Sequence, residues 1–307
     1  MFSYRHAFHA GNHADVLKHT TLIAMLRHLT EKEGALLVCD THAGAGLYRL
    51  DGDYANTSGE AADGVLRVAA AARSARSAAA EAGTVVVLAP ALRDYLDLVA
   101  GFNTGGNFKI YPGSPFMIQH LLRAHDRLKL FELHPTDARS LAANIEQLNA
   151  GRQVAVLTHD GFDGLKKFLP PPARRALVLT DPSYEIKSDY ARVPALVADS
   201  LKRFATGTYA VWYPIIPRAE AHDLPRKLKT LATREGKHWL HATLTVKSSR
   251  LTTDIAGTAK RPGLPASGMF VINPPHTLKA SLQDALPQMV SLLGQDRHAT
   301  CRLDAGG

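Results

Sequence analysis

Residues 176–184 read Ala176-Leu177-Val178-Leu179-Thr180-Asp181-Pro182-Ser183-Tyr184. The first five form an apolar run with the length of a buried strand, so the Asp-Pro turn falls at a strand's carboxyl end. In open α/β sheets, ligands bind in the crevice along that edge. Asp181 can accept hydrogen bonds from an amino group. Pro182 has no N–H, and its ring restricts the direction of its carbonyl. Two such acceptors can hold one –NH2, and Tyr184 offers a flat face on which a base stacks.

The tetrapeptide resembles the Asp-Pro-Pro-Tyr motif of methyltransferases that use S-adenosylmethionine on amino groups, with Ser183 in place of the second proline. Other strand ends upstream fit the same edge. Ala35 to Asp40 is an apolar run that passes at once into Thr41-His42-Ala43-Gly44-Ala45-Gly46. A strand entering Gly-x-Gly is a nucleotide-binding turn, where missing side chains let a ligand approach backbone. An acidic residue for ribose hydroxyls normally follows about 20 residues later. None stands there at a strand end, and the next convincing one is Glu132, after Leu128 to Phe131. Residues 51–109 therefore read as an insertion, rich in helix-forming Ala and Arg from Gly64 to Ala82, with Pro90 opening a further helix. Val85 to Val87 are the one strand-like run inside it. The insertion is expected to be a helical subdomain, 51–109, in a methyltransferase domain made of 1–50 and 110–307.

A third strand, Val154 to Leu157, ends at Thr158-His159-Asp160-Gly161, and later strands lie at Tyr209 to Tyr213, Leu240 to Val246 and Met269 to Asn273. Helices are expected near 116–125, 137–148, 194–204 and 224–233. Alternating strands and helices imply an α/β, Rossmann-like fold with a seven-stranded mixed sheet, the last strand entering antiparallel. At the amino end, Asn12 caps a helix with Asp15 in the capping-box position. Asn273-Pro274-Pro275-His276 mimics the motif at 181–184, but it follows the last strand and lacks an aromatic of the Tyr type.

The chain has 307 residues, 46% of them hydrophobic, and 36 Lys and Arg against 28 Asp and Glu give a net charge of +8. That excess fits a polyanionic partner such as RNA. The two cysteines, Cys39 and Cys301, are too far apart in sequence to build a metal site, and Cys39 is expected to be buried and reduced. His6, His9 and His13 lack the Cys or carboxylate ligands that would complete a tetrahedral zinc set, so no metal is expected. No segment reaches membrane-spanning length and the first residues are polar. The expectation is a soluble, cytoplasmic monomer with no membrane partner.

Taken in order, these motifs resemble one family, the RlmJ family of 23S ribosomal RNA adenine-N6 methyltransferases, of the class I type that uses S-adenosylmethionine. The resemblance is carried by SYRHAFHAGNHADVLKH at 3–19, DTHAGAG at 40–46, YPGSP at 111–115, ELHP at 132–135, DGF at 160–162 and KRFATGTYAVWYP at 202–214. It is poor from Ala55 to Phe108 and past Pro275. It implies that His19 and His42 line the cofactor pocket, with Ser114 near the cofactor's amino-acid end. It also implies that Glu132 takes the ribose hydroxyls and that Asp160 and Gly161 take the adenine. Asp181 would lie between methyl donor and target adenine, with Tyr184 stacked on that base. Tyr4 and Lys18 would face the 23S ribosomal RNA substrate, Tyr4 as part of a lid over the site. Related motifs also serve DNA adenine and protein glutamine amides, and a basic RNA-binding protein with an inactive core is the other alternative.

Overall fold

The computed structural model describes residues 5–82, 88–249, 252–253, 259–260 and 263–307. Eight strands form one sheet: β1 (Leu37–Asp40), β2 (Arg127–Phe131), β3 (Val154–Leu157), β4 (Ala176–Thr180), β5 (Thr208–Ile215), β6 (Trp239–Thr245), β7 (Ala266–Ile272) and β8 (Thr300–Gly306). Their order is β8-β6-β7-β5-β4-β1-β2-β3. Strands β1 to β5 are mutually parallel, whereas β7 runs antiparallel between β5 and β6, and β8 runs antiparallel to β6. The chain leaves β1 toward β2 on one side and β4 on the other, so the switch in strand order lies between β1 and β4. That is where such sheets open a ligand crevice.

The α/β class and the mixed sheet are as expected, but there are eight strands, not seven. The additional one is β8. It lies in the tail past Pro275, where edge position makes every side chain partly or fully exposed and removes the apolar signature of a strand.

Helices cover both faces. Val38, Leu128, Leu130, Leu177 and Leu179 point to one core, while Leu37, Cys39, Ala176 and Val178 point to the other, the two-residue alternation of a strand covered on both sides. The second core is closed by α8 (Asp189–Arg203) and α9 (Ala219–Arg234). The first is closed by α1 (His13–Glu31), α4 (Pro90–Gly101), α5 (Ser114–Leu121) and α10 (Leu278–Leu293). α1 is capped as its sequence implies, Asn12 Oδ1 accepting from the N–H groups of Ala14 and Asp15 at 3.0 Å each. Asp15 reaches one residue beyond the capping-box target and accepts from Gly11 N at 2.8 Å. The helix is buried all round from His13 to Ile23, so its polar residues Asp15, Lys18 and His19 are held inside the molecule.

Residues 51–109 hold α2 (Asp53–Ser58), α3 (Val65–Ala82) and α4, as the helical reading implies; Val85 to Val87 lie outside the described residues. Their ends are zipped together by an antiparallel pair, Leu47–Arg49 against Ile110–Pro112. The insertion contributes to the first core. Leu92, Tyr95 and Val99 are fully buried in the same core as Leu22, Ile23 and Leu282, and α4 packs on both α1 and α10. An Ala-rich stretch looks self-sufficient by helix propensity, but its apolar stripe needs a partner, and here the partner is the main fold.

One core shared in this way should unfold as a unit. Leu92→Ala is expected to lower stability by about 2–5 kcal/mol, with a single denaturant transition followed by far-ultraviolet dichroism. Two separate transitions would instead show an autonomous insertion.

Candidate active site

The carboxyl ends of β1, β2, β3 and β4 line one cavity. Its wall includes Lys18, His19, His42, Gly44, Ser114, Glu132, Asp160, Gly161 and Asp181. All the described residues assigned to cofactor from the sequence are therefore brought together, although they span from 19 to 181. A second cavity adjoins it, lined by His6, His9, Asn12, Lys18, Asp181, Tyr184, Trp212 and Arg218 among others. Lys18, Asp181 and Ser183 belong to both. Tyr4 lies outside the described residues.

On the β1 side, Gly44 has φ +63°, a conformation that glycine adopts without strain, and its N–H donates to Glu132 Oε2 at 2.7 Å. His134 N donates to the other oxygen, Oε1, at 2.7 Å. Burial is the main influence on Glu132 and raises its pKa, against these two donors. Each oxygen retains a further lone pair for a hydroxyl donor. Gly161 is fixed by space: a Cβ there would lie 2.1 Å from the Thr41 carbonyl oxygen.

Asp160 caps the short helix α7 (Gly161–Gly164), Oδ1 accepting from Phe162 N at 2.9 Å. Its Oδ2 accepts from Arg192 at 2.7 Å, and the Arg192 guanidinium lies 4.1 Å from the centre of the Phe162 ring. Arg192 is absent from the sequence reading because α8 was expected to begin at Pro194. The helix begins at Asp189 and carries Pro194 inside it, which delivers Arg192 to the cavity. His42 packs edge-on to Phe162 with ring centres 4.9 Å apart, and burial lowers its pKa to about 4.

Gly113 takes the cap position of α5, and Ser114, the first residue of the helix, donates from Oγ to Asp40 Oδ2 at 2.6 Å. Asp40, at the end of β1, is fully buried, and burial pushes its pKa up to about 6. It too was missed from sequence, hidden as the last residue of an apolar run. His19 is 1% exposed. Its Nδ1 hydrogen-bonds the Tyr111 hydroxyl at 2.7 Å, whereas its Nε2 is buried without a partner among the described residues. Burial lowers its pKa to about 3, so the ring is neutral, and the residue lines the first cavity.

At the junction of the two cavities, Lys18 Nζ lies 2.6 Å from Asp181 Oδ2 and 2.9 Å from Asp15 Oδ1. Burial alone would lower the lysine pKa, but the two carboxylates outweigh it and hold the pKa well above the usual value. Lys18 is thus a buried cation. Asp181 Oδ1 has no partner among the described residues.

Tyr184 is enclosed by its neighbours. Its backbone turns through φ +56° and its side chain is 2% exposed, packed on Tyr190 with its hydroxyl donating to the Trp212 carbonyl at 2.7 Å. It forms part of the second cavity's wall but does not present an open face. The look-alike residue Asn273 lies at the opposite edge of the sheet because β7 is antiparallel. There its Nδ2 donates to the carbonyls of Ala205 and Gly207. His6, His9 and His13 diverge to Asp15, Glu60 and the Leu264 carbonyl. Among the described residues no cluster of His, Cys, Asp and Glu could hold a metal ion, and no helix is long and apolar enough to cross a membrane. Cys39 is fully buried as a free thiol.

Known proteins resemble this chain along nearly its whole length. The chain is 40% identical over 293 residues to the ribosomal RNA large subunit methyltransferase J of Escherichia coli, covering 95% of this chain and 94% of that one. It is 36% identical over 294 residues to the protein of the same name from Haemophilus influenzae, with the same coverage. A crystal structure of a Legionella pneumophila protein superposes with a TM-score of 0.81 at 29% identity, covering 97% of this chain and 98% of that one. Residues 33–303 match the family described as "RsmJ: Ribosomal RNA large subunit methyltransferase D, RlmJ", and the chain belongs to that family.

Proposed function

We propose that this protein transfers a methyl group from S-adenosylmethionine to N6 of an adenine in 23S ribosomal RNA. The observation that carries the reading is the position of Asp181. It stands at the junction of two cavities, with one oxygen fixed by Lys18 and the other open. Family membership supports the reaction class, and the net charge of +8 suits an RNA partner.

The first cavity fits the methyl donor. Glu132 accepts from ribose hydroxyls, and the Asp160 loop with Gly161 backs the adenine. His19 Nε2 and the Asp40–Ser114 pair sit on the β1 side, suited to the amino-acid end. When bound, S-adenosylmethionine supplies an electrophilic methyl on a sulfonium. Everything else falls to the protein's own residues.

The N6 lone pair of adenine is delocalised into the ring. Hydrogen bonds from N6 to Asp181 Oδ1 and to the Pro182 carbonyl localise that pair and aim it for in-line attack, and such orientation supplies much of the acceleration. The Lys18 ammonium holds Asp181 Oδ2 and fixes its rotamer. That suits an acceptor that positions an amine. A protonated N6 is strongly acidic, so the proton leaves to Asp181 or water once the methyl has been transferred. A base paired in a duplex cannot reach the junction, so the target adenine enters unpaired or flipped. The second cavity, with Trp212 and the Tyr184 wall, receives it.

Two outcomes follow. Asp181→Ala should cut methylation of 23S ribosomal RNA by roughly 10²–10⁴-fold while far-ultraviolet dichroism stays native; a variant retaining a tenth of the rate would place the chemistry elsewhere. Glu132→Ala should weaken S-adenosylmethionine binding in calorimetry by about 1.5–3 kcal/mol, and an unchanged affinity would remove Glu132 from the cofactor site.

A further inference from the structure

Resting on the assignment of Asp181 to the reacting amine, we propose that Glu60, in the insertion, is a positioning residue for the transfer: it fixes the amino-terminal wall of the substrate cavity. Glu60 lies between α2 and α3, far in sequence from every motif discussed above. Its Oε2 accepts from His9 Nδ1 at 3.0 Å and from Asn12 Nδ2 at 2.9 Å. His9 and Asn12 both line the second cavity, and Asn12 caps α1.

The contact continues inward without a gap. Gly11 N and His6 Nε2 both donate to Asp15 Oδ2, at 2.8 and 3.0 Å. Asp15 Oδ1 meets Lys18, and Lys18 meets Asp181. The insertion also touches this turn through backbone. Val65 N donates to the Gly11 carbonyl at 2.7 Å, and a Cβ on Gly64 would lie 2.0 Å from that same oxygen. α2 packs on the turn His6–Phe8. The insertion therefore sets where the amino-terminal segment lies, and that segment sets where Lys18 holds the carboxylate.

Exposure separates positioning from simple bracing. The His9 and Glu60 side chains are 39% and 32% exposed, and ion pairs so accessible add little to stability. Small displacements of a reacting group, by contrast, are costly in rate. Burial alone would raise the Glu60 pKa; donation from His9 and the His9 charge bring it below the usual value, so the carboxylate is ionised at neutral pH.

The test is Glu60→Ala and Glu60→Gln in the full-length protein, assayed with S-adenosylmethionine and 23S ribosomal RNA transcribed in vitro. Glu60→Ala is expected to lower kcat by roughly ten- to a hundredfold. Cofactor affinity should stay within about twofold and the melting temperature nearly unchanged, as a weak surface pair implies. Glu60→Gln keeps an oxygen acceptor and should recover part of the rate. A wild-type rate in Glu60→Ala would overturn the proposal. So would a parallel fall of rate, cofactor affinity and melting temperature, which would mark Glu60 as a brace. Asp181→Ala assayed alongside separates the two levels: if it is active, the site assignment fails, and if it is inactive beside a normal Glu60→Ala, only the role of Glu60 fails.

Discussion

A lysine is enclosed between two carboxylates at the centre of this protein. Lys18 would not tolerate its position alone, since an unpaired buried ammonium carries a heavy desolvation cost. It is tolerable because Asp15, one turn earlier on the same helix, and Asp181, at the end of β4, approach it within 3 Å from two sides. The cluster ties the first helix to the motif strand across 163 residues of sequence. Removing one member of such a set leaves the others as uncompensated charge, so the three are interdependent. The polar side of α1, the turn before it and the strand end are shaped to satisfy this one group.

Much of the architecture can be read from residues alone because parallel strands in this sheet are largely continuous apolar runs, and those of β1 to β4 are each followed by a residue that lines the first cavity. Glu132, Asp160 and Asp181 stand out as candidates for that reason. What escaped did so for local physical reasons. β8 is an edge strand with a solvent face and no apolar alternation. Arg192 was hidden because the helix, expected near 194–204, begins at Asp189 and carries Pro194 inside. Asp40 was hidden by its place at the end of an apolar run. Tyr184 has the residue type of a stacking platform, but its left-handed backbone turns the ring into the second core. No residue pattern announces Glu60, whose partners lie 48 and 51 positions away.

Strand direction decides which of two similar tetrapeptides reaches the two cavities. Both follow an apolar strand with an acidic or amide residue and a proline. Asp181 ends a parallel strand and meets the helix α1. Asn273 ends an antiparallel one, and its side chain ties the loop that precedes β5. A motif of this kind is a statement about an edge of a sheet, and topology determines which edge.

The short pair Leu47–Arg49 and Ile110–Pro112 closes the insertion at its root, and Gly113 N donates to the Gly46 carbonyl at 2.7 Å just beyond it. The Gly-rich turn after β1 and the start of α5 are thus fastened to each other directly, whatever lies between them. The entropy of closing a loop grows only logarithmically with its length, so the segment outside that clasp can gain or lose residues at little expense to the turn. The insertion can therefore change while the first cavity keeps its shape. The freedom is bounded by two fixed points, the apolar stripe of α4 and the short stretch from Glu60 to Val65, which must still reach their partners.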